Sequence, residues 1–361
     1  MGNRFEHLQA AVDGIFEEVG HIVKISSVYE TPALGFDGSD FLNCVVWVRT
    51  SMRPKKLLDT ILDIEKKIGR ERKTEEGYAS RPIDIDIISI EDEVKETKKL
   101  TLPHPHIQDR KFVLQPLAEV NGQWEHPVTK TKVIKLLANT KDESVLSKQS
   151  KWLRNPKKDF PVSQFNYLAI EGNIGAGKTS LAGMIAEDFN AKLILERFKD
   201  NAFLPKFYKD QSRYAFPLEM SFLADRYQQL LEDIKQFDLF KDSVVADYDA
   251  YKSLIFAKVT LAEEEYALYK KLFHLMHKEL PNPDLYVYLY QNTDRLLENI
   301  KKRGRSYEKD IPATYLQEIN EGYFEFIKGL PQERVRVIDI SELDFVKNRK
   351  DYLSILRQIV S

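Results

Sequence analysis

The sequence feature that most restricts the fold is a glycine-rich run at residues 172–179. Its spacing is G-x-x-x-x-G-K-[ST], the P-loop pattern, with a strand-like segment before it and a helix-like segment after it. In such a loop backbone N–H groups surround a phosphate, Lys178 supplies positive charge to the β and γ phosphates, and the Thr179 hydroxyl suits Mg²⁺. The alternative is an ordinary glycine-rich strand-to-helix turn, which does not require Lys178 or Thr179. The predicted nucleotide-binding residues are Gly172, Asn173, Ile174, Gly175, Ala176, Gly177, Lys178, Thr179 and Ser180.

Short apolar segments recur in the second half of the chain, separated by longer helical patterns. They lie at residues 167–170, 192–195, 243–246, 285–289 and 335–338. Strands that alternate with helices in this way usually form a parallel sheet with helices on both faces. The second half is therefore predicted to be a doubly wound α/β domain.

The first half has a different pattern. β-branched and aromatic residues recur at every second position in 41–48 and 83–88, which predicts strands. A helical apolar stripe runs through 54–69, and Pro54 is placed to begin that helix. The combination predicts an α+β domain. A basic stretch at 148–158 has neither periodicity, so we predict domains at 1–147 and 164–361 joined by a linker at 148–163.

Composition excludes several classes of protein. A chain of 361 residues usually needs more than one core, and 43% hydrophobic with 30% charged residues is typical of globular proteins. No apolar run approaches the ~18 residues of a membrane span, and the first residues do not resemble a signal peptide. The single cysteine, Cys44, cannot form an internal disulfide, and the net charge of −2 gives no general attraction to nucleic acid. We expect a cytoplasmic protein that binds neither membrane nor nucleic acid.

Several separated motifs of the second half resemble the deoxynucleoside kinase family. Glu196 follows the second predicted strand of this half, where the family has the carboxylate that takes the proton from the sugar 5′-hydroxyl. A neutral hydroxyl attacks phosphorus poorly unless a base orients and deprotonates it. The alternative interpretation of Glu196 is a solvated residue at a strand end. The resemblance implies a P-loop kinase that phosphorylates a deoxynucleoside with ATP, and it implies a homodimer.

The same resemblance implies a nucleoside pocket. Phe207 and Phe222 would line the base, and Tyr208 would hydrogen-bond the sugar 3′-hydroxyl. Aromatic residues at helical spacing are equally typical of an ordinary core. Arg226 matches an arginine that some purine and cytosine kinases place on the base, and its alternative role is a surface salt bridge with Asp225 or Glu219.

Residues 303–308 have the pattern R-x-R-x-x-E, which is similar to the lid of that family. Arg303 and Arg305 would close over the transferring phosphoryl group and stabilise its negative charge. Glu308 would join Tyr208 at the 3′-hydroxyl. The alternative is a basic, solvated helix end.

Two positions depart from the family pattern. Most members have an acidic residue followed by arginine after the third strand, whereas here Asp247 is followed by Tyr248. Asp247 can still bind Mg²⁺, and Lys252 can restore the positive charge. The base-reading glutamine is replaced by Glu219, and an ionised carboxylate only accepts hydrogen bonds. Guanine offers two adjacent donors while adenine offers one donor beside an acceptor, so we expect a purine deoxynucleoside with guanine favoured.

In the first half, Asp84 and Asp86 are the clearest sign of chemistry. On a strand, alternate side chains project from one face roughly 7 Å apart. Two carboxylates so placed can share Mg²⁺ ions that bridge the phosphates of a nucleotide. A solvated strand face can carry the same spacing, so the pair does not define a metal site by itself.

The residues around this pair, from 2 to 137, resemble 6-hydroxymethyl-7,8-dihydropterin pyrophosphokinase, a folate-pathway enzyme. The resemblance implies a ferredoxin-like fold and transfer of the β,γ-diphosphate of ATP to the pterin hydroxymethyl group, with two Mg²⁺ ions on Asp84 and Asp86. The residues at pterin-binding positions are Thr31, Pro32, Leu34, Phe41, Asn43, Tyr78 and Phe112, of which Tyr78 and Phe112 would stack on the ring. Those at ATP-binding positions are Glu65, Arg70, Arg72, Arg81, His104 and Arg110, and Arg81 would also offset developing charge.

The first half also departs from its family. The loop at 73–78 is longer than in a common form and lacks a loop arginine. Members begin with a strand that enters a Gly-Ser-Asn turn, whereas this sequence begins inside that motif, at residues 1–4. Since that strand normally lies within the sheet, we expect translation to start upstream.

Together the two halves predict a bifunctional kinase that uses ATP and Mg²⁺ on two small-molecule substrates. One alternative is that the second half phosphorylates a nucleoside monophosphate, which would require more positive charge for the acceptor. Another alternative is that only the second half is active and the first half is a regulatory or structural module.

Overall fold

The computed structural model describes residues 3–32, 40–69, 82–197, 201–235, 240–308 and 311–361, with the backbone alone for Lys235 and Ser306. The chain divides into two compact units, Met1–Phe160 and Pro161–Ser361. Within the described residues, no helix has both the length and the apolar character that crossing a bilayer requires.

The first unit combines helices with short antiparallel strands. Its helices are α1 (Arg4–Glu18), α2 (Pro54–Lys67), α3 (Lys111–Val120) and α4 (Val133–Asn139). Its strands are β1 (His21–Ile25), β2 (Tyr29–Thr31), β3 (Phe41–Asn43), β4 (Val46–Arg49), β5 (Lys95–Glu96), β6 (Thr101–Leu102) and β7 (Ser147–Lys148). Strand β1 pairs with β4, β2 lies between β3 and β7, and β5 pairs with β6. This arrangement does not establish the ferredoxin-like fold, which stays a prediction.

Helices α1 and α2 pack through their apolar faces. Asn3 caps α1, since its side-chain oxygen accepts hydrogen bonds from the N–H groups of Phe5 and Glu6. As predicted, α2 begins at Pro54, and it ends two residues before the predicted limit. The buried residues of the two helices recur at helical spacing: Leu8, Ala11, Val12, Ile15 and Phe16 on α1, and Leu57, Thr60, Ile61, Ile64 and Glu65 on α2.

The two predicted strands of the first unit have different outcomes. The segment 41–48 forms two strands, because β3 pairs with β2 while β4 pairs with β1. The prediction of a strand at 83–88 is wrong, since no strand is assigned there. A strand requires a hydrogen-bonded neighbour, and here the N–H of Ile85 donates to the Glu65 carboxylate at 2.8 Å instead.

Part of the segment predicted as a linker lies on the first unit. Strand β7 pairs with Tyr29 and Glu30, and the N–H of Gln149 donates to the Val28 carbonyl at 2.9 Å. The Asn155 side chain donates to the Ile22 carbonyl at 3.2 Å. The boundary between the units, at 160/161, falls within 148–163, and the exact domain limits stay a prediction.

The second unit is built from a parallel sheet and helices. Its strands are β8 (Tyr167–Gly172), β9 (Lys192–Ile194), β10 (Val244–Ala246), β11 (Leu285–Tyr290) and β12 (Val335–Asp339). Its helices are α5 (Lys178–Asp188), α6 (Leu204–Phe207), α7 (Gln211–Lys235), α8 (Lys252–Thr260), α9 (Glu263–His277), α10 (Thr293–Arg303), α11 (Ala313–Lys328) and α12 (Arg349–Val360).

The strand order is β12-β11-β8-β10-β9, and every neighbouring pair is parallel. The predicted parallel sheet is therefore confirmed. Strand β8 is buried along its whole length, as expected for a central strand that is covered on both faces. Because the chain continues from this central strand to both sides in turn, a crevice forms at the carboxyl ends of β8 and its neighbours.

Replacing Gly172 by alanine should destabilise the second unit. A Cβ there would lie 2.7 Å from the Leu289 carbonyl oxygen, on a backbone with φ of 153°. We expect a loss of about 2 kcal/mol in unfolding free energy, measured by hydrogen exchange of the sheet amides under increasing urea. The matched control is Gly183→Ala in α5, where a Cβ meets nothing within 4 Å. It should be neutral or stabilising by up to about 1 kcal/mol, and equal losses in both variants would contradict the steric explanation.

Candidate active sites

The glycine-rich run forms the turn between β8 and α5. Gly172 and Gly177 have φ values of 153° and 83°, which residues other than glycine rarely adopt. A Cβ at Gly177 would also lie 2.9 Å from the Phe345 ring. Helix α5 begins at Lys178, directly after the turn, so its first N–H groups have no partner within the helix. The turn therefore has the backbone geometry that an anion-binding loop requires.

Lys178 folds back over this turn. Its ammonium donates to the carbonyl oxygens of Gly172 and Asn173, both at 2.9 Å. Burial, together with the nearby positive charge of Lys252, lowers the pKa of Lys178 to about 8. The ammonium is thus fixed beside the turn, where a phosphate would meet it.

A buried amide network fixes the other side of the turn. The side chain of Asn173 is fully buried and donates to the Leu316 carbonyl at 2.7 Å and to Asn320 Oδ1 at 2.9 Å. The hydroxyl of Tyr288, on β11, donates to the same oxygen at 2.9 Å. Sequence reasoning missed Asn320; its place on the buried face of α11, between Ile319 and Tyr323, was the available signal.

Asp247, at the end of β10, joins two predicted site residues. One of its oxygens accepts a hydrogen bond from the Thr179 hydroxyl, and the other accepts from the backbone N–H of Glu196 at 2.8 Å. Its side chain is buried. The structure therefore brings the first turn of α5, the end of β10 and the end of β9 to one point.

The carboxylate of Glu196 lies between two buried cations. Its Oε1 is 2.7 Å from Arg226 Nη2 and accepts from Arg226 Nε at 2.8 Å, while its Oε2 is 2.6 Å from Lys252 Nζ. The exposed fraction is 12% for the Glu196 side chain, 4% for Arg226 and 7% for Lys252. Burial alone would raise the pKa of Glu196, but Lys252 and Arg226 hold it down to about 2. Glu196 is therefore ionised throughout the neutral range.

Lys252, which we expected to restore the positive charge of the absent family arginine, lies against Glu196. Tyr248 is fully buried, and among the described residues its hydroxyl has no hydrogen-bond partner. Arg226 is not placed as a surface ion pair, since its Nη1 donates to the buried Ser253 hydroxyl at 2.8 Å.

Glu219 is a buried carboxyl group near this site with few hydrogen-bond partners. It is 2% exposed, and its Oε1 lies 3.3 Å from the Thr260 hydroxyl. Its Oε2 is buried without a hydrogen-bond partner in the described part of the chain. Burial raises the pKa of Glu219 to about 7.

The predicted pocket aromatics lie around α6 and α7. Phe207 and Phe222 are buried, and the Arg226 guanidinium lies over the Phe222 ring at 4.8 Å. The rings of Tyr208 and Tyr307 stack at 6.0 Å. This stacking connects α6 with the segment that contains the predicted lid.

Both predicted lid arginines bind Glu308. Arg303 Nε donates to Glu308 Oε2 and Arg305 Nη1 donates to Oε1, each at 3.1 Å. The Glu308 side chain is 5% exposed, so these ion pairs are partly shielded from water. The three residues of the R-x-R-x-x-E pattern therefore form one cluster.

A further buried carboxyl group, which sequence reasoning also missed, lies in β8 beneath the turn. Glu171 is fully buried; its Oε1 accepts from the Asp249 N–H at 2.7 Å and its Oε2 accepts from the Tyr323 hydroxyl at 2.8 Å. Burial raises the pKa of Glu171 to about 7, while Lys252 and Lys178 oppose the shift. Burial likewise raises the pKa of Asp249 to about 6.

In the first unit, two of the predicted pterin-binding residues are in direct contact. The Asn43 amide donates to the Thr31 hydroxyl at 2.9 Å across the β2–β3 pair. Pro32 and Phe41 are exposed beside them. Leu34 and Tyr78 lie outside the described residues.

The predicted ATP-binding residues that are described lie along 65–112. Glu65 is buried and holds the N–H of Ile85, which lies between the exposed Asp84 and Asp86. Burial lowers the pKa of His104, the negative charge of Asp86 opposes this shift, and Arg110 adds to it. Arg110 also lies over the Phe112 ring at 5.8 Å. Arg70, Arg72 and Arg81 lie outside the described residues.

Oxygen donors suited to Mg²⁺ are present in both units. Asp84 and Asp86 are exposed carboxylates two residues apart, and the Thr179 hydroxyl and Asp247 carboxylate are in contact. Within the described ranges, no group of three or more His, Cys, Asp or Glu side chains is arranged to hold a metal by protein ligands alone. The Thr179–Asp247 pair fits a Mg²⁺ ion that takes its remaining ligands from phosphates and water. Since no strand is assigned at 83–88, a common face for Asp84 and Asp86 stays a prediction.

Two family models match the chain. The model described as deoxynucleoside kinase matches residues 168–361, and the model described as 7,8-dihydro-6-hydroxymethylpterin-pyrophosphokinase matches residues 1–122.

Curated relatives are similar to the two parts separately. A deoxyguanosine kinase of Bacillus subtilis is 40% identical over 190 residues, which cover 52% of this chain and 92% of the relative. A deoxyadenosine kinase of Dictyostelium discoideum is 35% identical over 185 residues, which cover 50% of this chain and 74% of the relative. A 2-amino-4-hydroxy-6-hydroxymethyldihydropteridine pyrophosphokinase of Aquifex aeolicus is 40% identical over 129 residues, or 36% of this chain and 79% of the relative. Among solved structures, a deoxyadenosine kinase from M. mycoides with bound dATP is 26% identical, with a TM-score of 0.47, and covers 54% of this chain and 100% of that chain.

The buried Glu171 should make the second unit less stable as the pH rises. Its pKa is raised from 4.5 to about 7, so between these values the folded state binds more protons than the unfolded state. Unfolding free energy therefore falls with increasing pH in that window. Glu171→Gln keeps an acceptor for the Asp249 N–H and should gain stability relative to the wild type between about pH 5 and about pH 8, measured by hydrogen exchange in urea.

The matched control is Glu318→Gln, because Glu318 is exposed on α11. This variant should keep the pH dependence of the wild type. A Glu171→Gln profile that runs parallel to the wild type would show that Glu171 is ionised in the folded protein.

Proposed function

Because the chain belongs to the deoxynucleoside kinase family over residues 168–361 and to the hydroxymethyldihydropterin pyrophosphokinase family in its first unit, we propose that it catalyses both reactions. The second unit would transfer the γ-phosphoryl group of ATP to the 5′-hydroxyl of a purine deoxynucleoside. The first would transfer the β,γ-diphosphate of ATP to 6-hydroxymethyl-7,8-dihydropterin and release AMP.

The observation that carries the kinase proposal is the contact of Asp247 with both Thr179 and Glu196. Through this contact the glycine-rich turn lies next to Glu196 at the carboxyl edge of the sheet, where α/β proteins bind ligands, which supports the proposal. The N–H groups of the turn and Lys178 would hold the triphosphate. Thr179 and Asp247 would hold Mg²⁺, which when bound offsets phosphate charge.

Glu196 would orient the 5′-hydroxyl and accept its proton as the new bond to phosphorus forms. Arg303 and Arg305 would stabilise the charge on the transferring group after leaving Glu308, which would then bind the sugar 3′-hydroxyl with Tyr208. Phe207, Phe222, Glu219 and Arg226 would surround the base.

A free nucleoside fits this site better than a nucleoside monophosphate. A monophosphate acceptor brings a second dianion, which needs cations of its own. Arg226 and Lys252 both lie against Glu196, and Arg303 and Arg305 lie against Glu308. The similarity to deoxyguanosine kinase of Bacillus subtilis and the acceptor character of Glu219 in its ionised form both favour deoxyguanosine as the preferred substrate.

In the first unit, Asp84 and Asp86 would hold two Mg²⁺ ions that bring positive charge to the triphosphate. Thr31, Asn43, Pro32, Leu34 and Phe41 would bind the pterin, which Tyr78 and Phe112 would sandwich. Glu65, Arg70, Arg72, Arg81, His104 and Arg110 would bind ATP, with Arg81 also offsetting the charge that develops during transfer. A ferredoxin-like fold of this unit, a homodimer formed through the second unit and a cytoplasmic location are further parts of the proposal.

The two activities should be separable by single substitutions. Asp84→Ala should abolish AMP formation that depends on hydroxymethyldihydropterin and leave ADP formation with deoxyguanosine unchanged. Glu196→Gln should lower ADP formation with deoxyguanosine by about 10²- to 10⁴-fold, because it removes the base. It should leave AMP formation with hydroxymethyldihydropterin unchanged. Both rates are measured on the same preparations of the full chain. Loss of both activities in either variant, with normal thermal unfolding, would contradict two independent sites.

Lys252 should be required as a cation beside Glu196. Lys252→Met should reduce kcat with deoxyguanosine by about 100-fold, since the phosphoryl side of the site loses a buried positive charge. Lys252→Arg should recover most of this loss because it restores the charge.

The matched control is Lys258→Met on the same helix, where Lys258 pairs with Glu325 at the surface. It should have the kcat of the wild type. Equal kcat values for Lys252→Met and the wild type would contradict a role of this charge in transfer.

A further inference from the structure

The hydrogen bonding around Glu219 indicates the protonation state of this side chain. The Thr260 hydroxyl lies 3.3 Å from Glu219 Oε1 and 2.9 Å from the carbonyl oxygen of Phe256. A hydroxyl has a single hydrogen, and the shorter contact is the one to Phe256. Thr260 is therefore at most a weak donor to Glu219 Oε1 and stabilises the ionised form of Glu219 only slightly. The geometry thus favours a neutral Glu219.

The second oxygen of Glu219 supports the same conclusion. Oε2 is buried and has no hydrogen-bond partner in the part of the chain that the structure describes. An ionised carboxylate at 2% exposure would need several donors to offset its lost hydration. A neutral carboxyl group needs fewer donors. Its unpartnered oxygen is then available to a ligand.

The charged groups around Glu219 do not provide those donors. Arg226, two turns along the same helix, hydrogen-bonds Glu196 and Ser253, and Lys252 from α8 hydrogen-bonds Glu196. Their positive charges favour ionisation of Glu219, whereas the negative charge of Glu196 and burial oppose it, with burial the largest effect.

Hydroxyl groups face Glu219 from the remaining elements. The groups are Tyr208 directly after α6, Tyr269 on α9 and Tyr315 on α11. Burial raises the pKa of each most strongly, and the negative charge of Glu219 raises it further. The Tyr269 hydroxyl donates to the backbone oxygen of Glu219 at 3.3 Å, and not to its carboxyl group. The net result is a Glu219 pKa of about 7, within the range in which the enzyme would work.

The two protonation states of a carboxyl group read purines differently. The ionised form offers two acceptors, which match the adjacent N1–H and amino donors of guanine. The neutral form offers one donor and one acceptor, which match the N1 acceptor and the amino donor of adenine. The neutral form also matches the O6 acceptor and N1–H donor of guanine. Ionisation of the carboxyl group therefore still provides acceptors for the N1–H and amino donors of guanine. For adenine, it places a carboxylate acceptor against the N1 acceptor.

We propose that Glu219 is a protonation-dependent specificity residue, which in its neutral form accepts both purine deoxynucleosides and in its ionised form rejects deoxyadenosine. The inference rests on the proposed deoxynucleoside kinase activity of the second unit. It implies that preference for deoxyguanosine over deoxyadenosine increases with pH.

The test measures kcat/KM for deoxyguanosine and deoxyadenosine with the full chain, at saturating ATP and Mg²⁺, across the neutral range and below the pH at which guanine N1 ionises. The ratio of the two values cancels the ionisation of ATP, Lys178 and other groups that both reactions share. We expect this ratio to rise about 10- to 100-fold through neutral pH, because the ionised form loses a hydrogen bond to adenine and gains an acceptor clash.

Two variants distinguish Glu219 from other ionisable groups. Glu219→Gln has a fixed donor and a fixed acceptor, so its ratio should stay constant with pH, and it should still phosphorylate deoxyadenosine at alkaline pH. Glu232→Gln changes an exposed glutamate on the same helix and should keep the pH-dependent ratio of the wild type.

Binding calorimetry of the wild type gives an independent measurement that needs no variant. In buffers of different ionisation enthalpy, deoxyadenosine should take up a proton on binding at alkaline pH, whereas deoxyguanosine, which both forms of Glu219 accept, should exchange much less. Three results would overturn the inference and leave the kinase proposal intact. They are a kcat/KM ratio that stays constant with pH while both substrates are phosphorylated, a ratio in Glu219→Gln that still changes with pH, and equal proton exchange for both nucleosides. Failure to phosphorylate any deoxynucleoside would overturn both.

Discussion

The second unit depends on one carboxylate, Asp247, whose two oxygens are both used. One accepts from Thr179 at the start of α5 and the other accepts from the N–H of Glu196 after β9. These two segments follow different strands, and the parallel order of β8, β10 and β9 is what brings their ends together. The glycine-rich turn and the proposed base can share a site only if this junction holds.

The distribution of buried charge follows from that junction. Arg226 and Lys252 both lie against Glu196, so Glu196 is stabilised as an anion. Glu171 and Glu219 are more deeply buried and receive fewer donors, and their pKa values are raised to about 7. The placement of Arg226 and Lys252 against Glu196 therefore leaves one permanent anion and two glutamates that titrate near neutrality.

Local patterns were sufficient to predict much of this architecture. The P-loop spacing and the short apolar segments located the turn and the strands of the parallel sheet, because each signal is contained in a few neighbouring residues. The strand predicted at 83–88 failed because strand formation depends on a distant partner, and Glu65 takes the Ile85 N–H instead. Likewise, nothing local shows that Asn173 meets Asn320, or that Lys252 and Arg226 converge on Glu196 from two helices.

The low pKa of Glu196 defines what this residue can contribute to phosphoryl transfer. A carboxylate with a pKa of about 2 is too weak a base to deprotonate a free hydroxyl. In a loose transition state, however, the hydroxyl becomes strongly acidic only once its bond to phosphorus is well advanced, so early deprotonation is unnecessary. The two cations keep Glu196 in the form that can accept a hydrogen bond and so orient the hydroxyl. Glu196 would thus act first as an acceptor that positions the nucleophile and only late as a base.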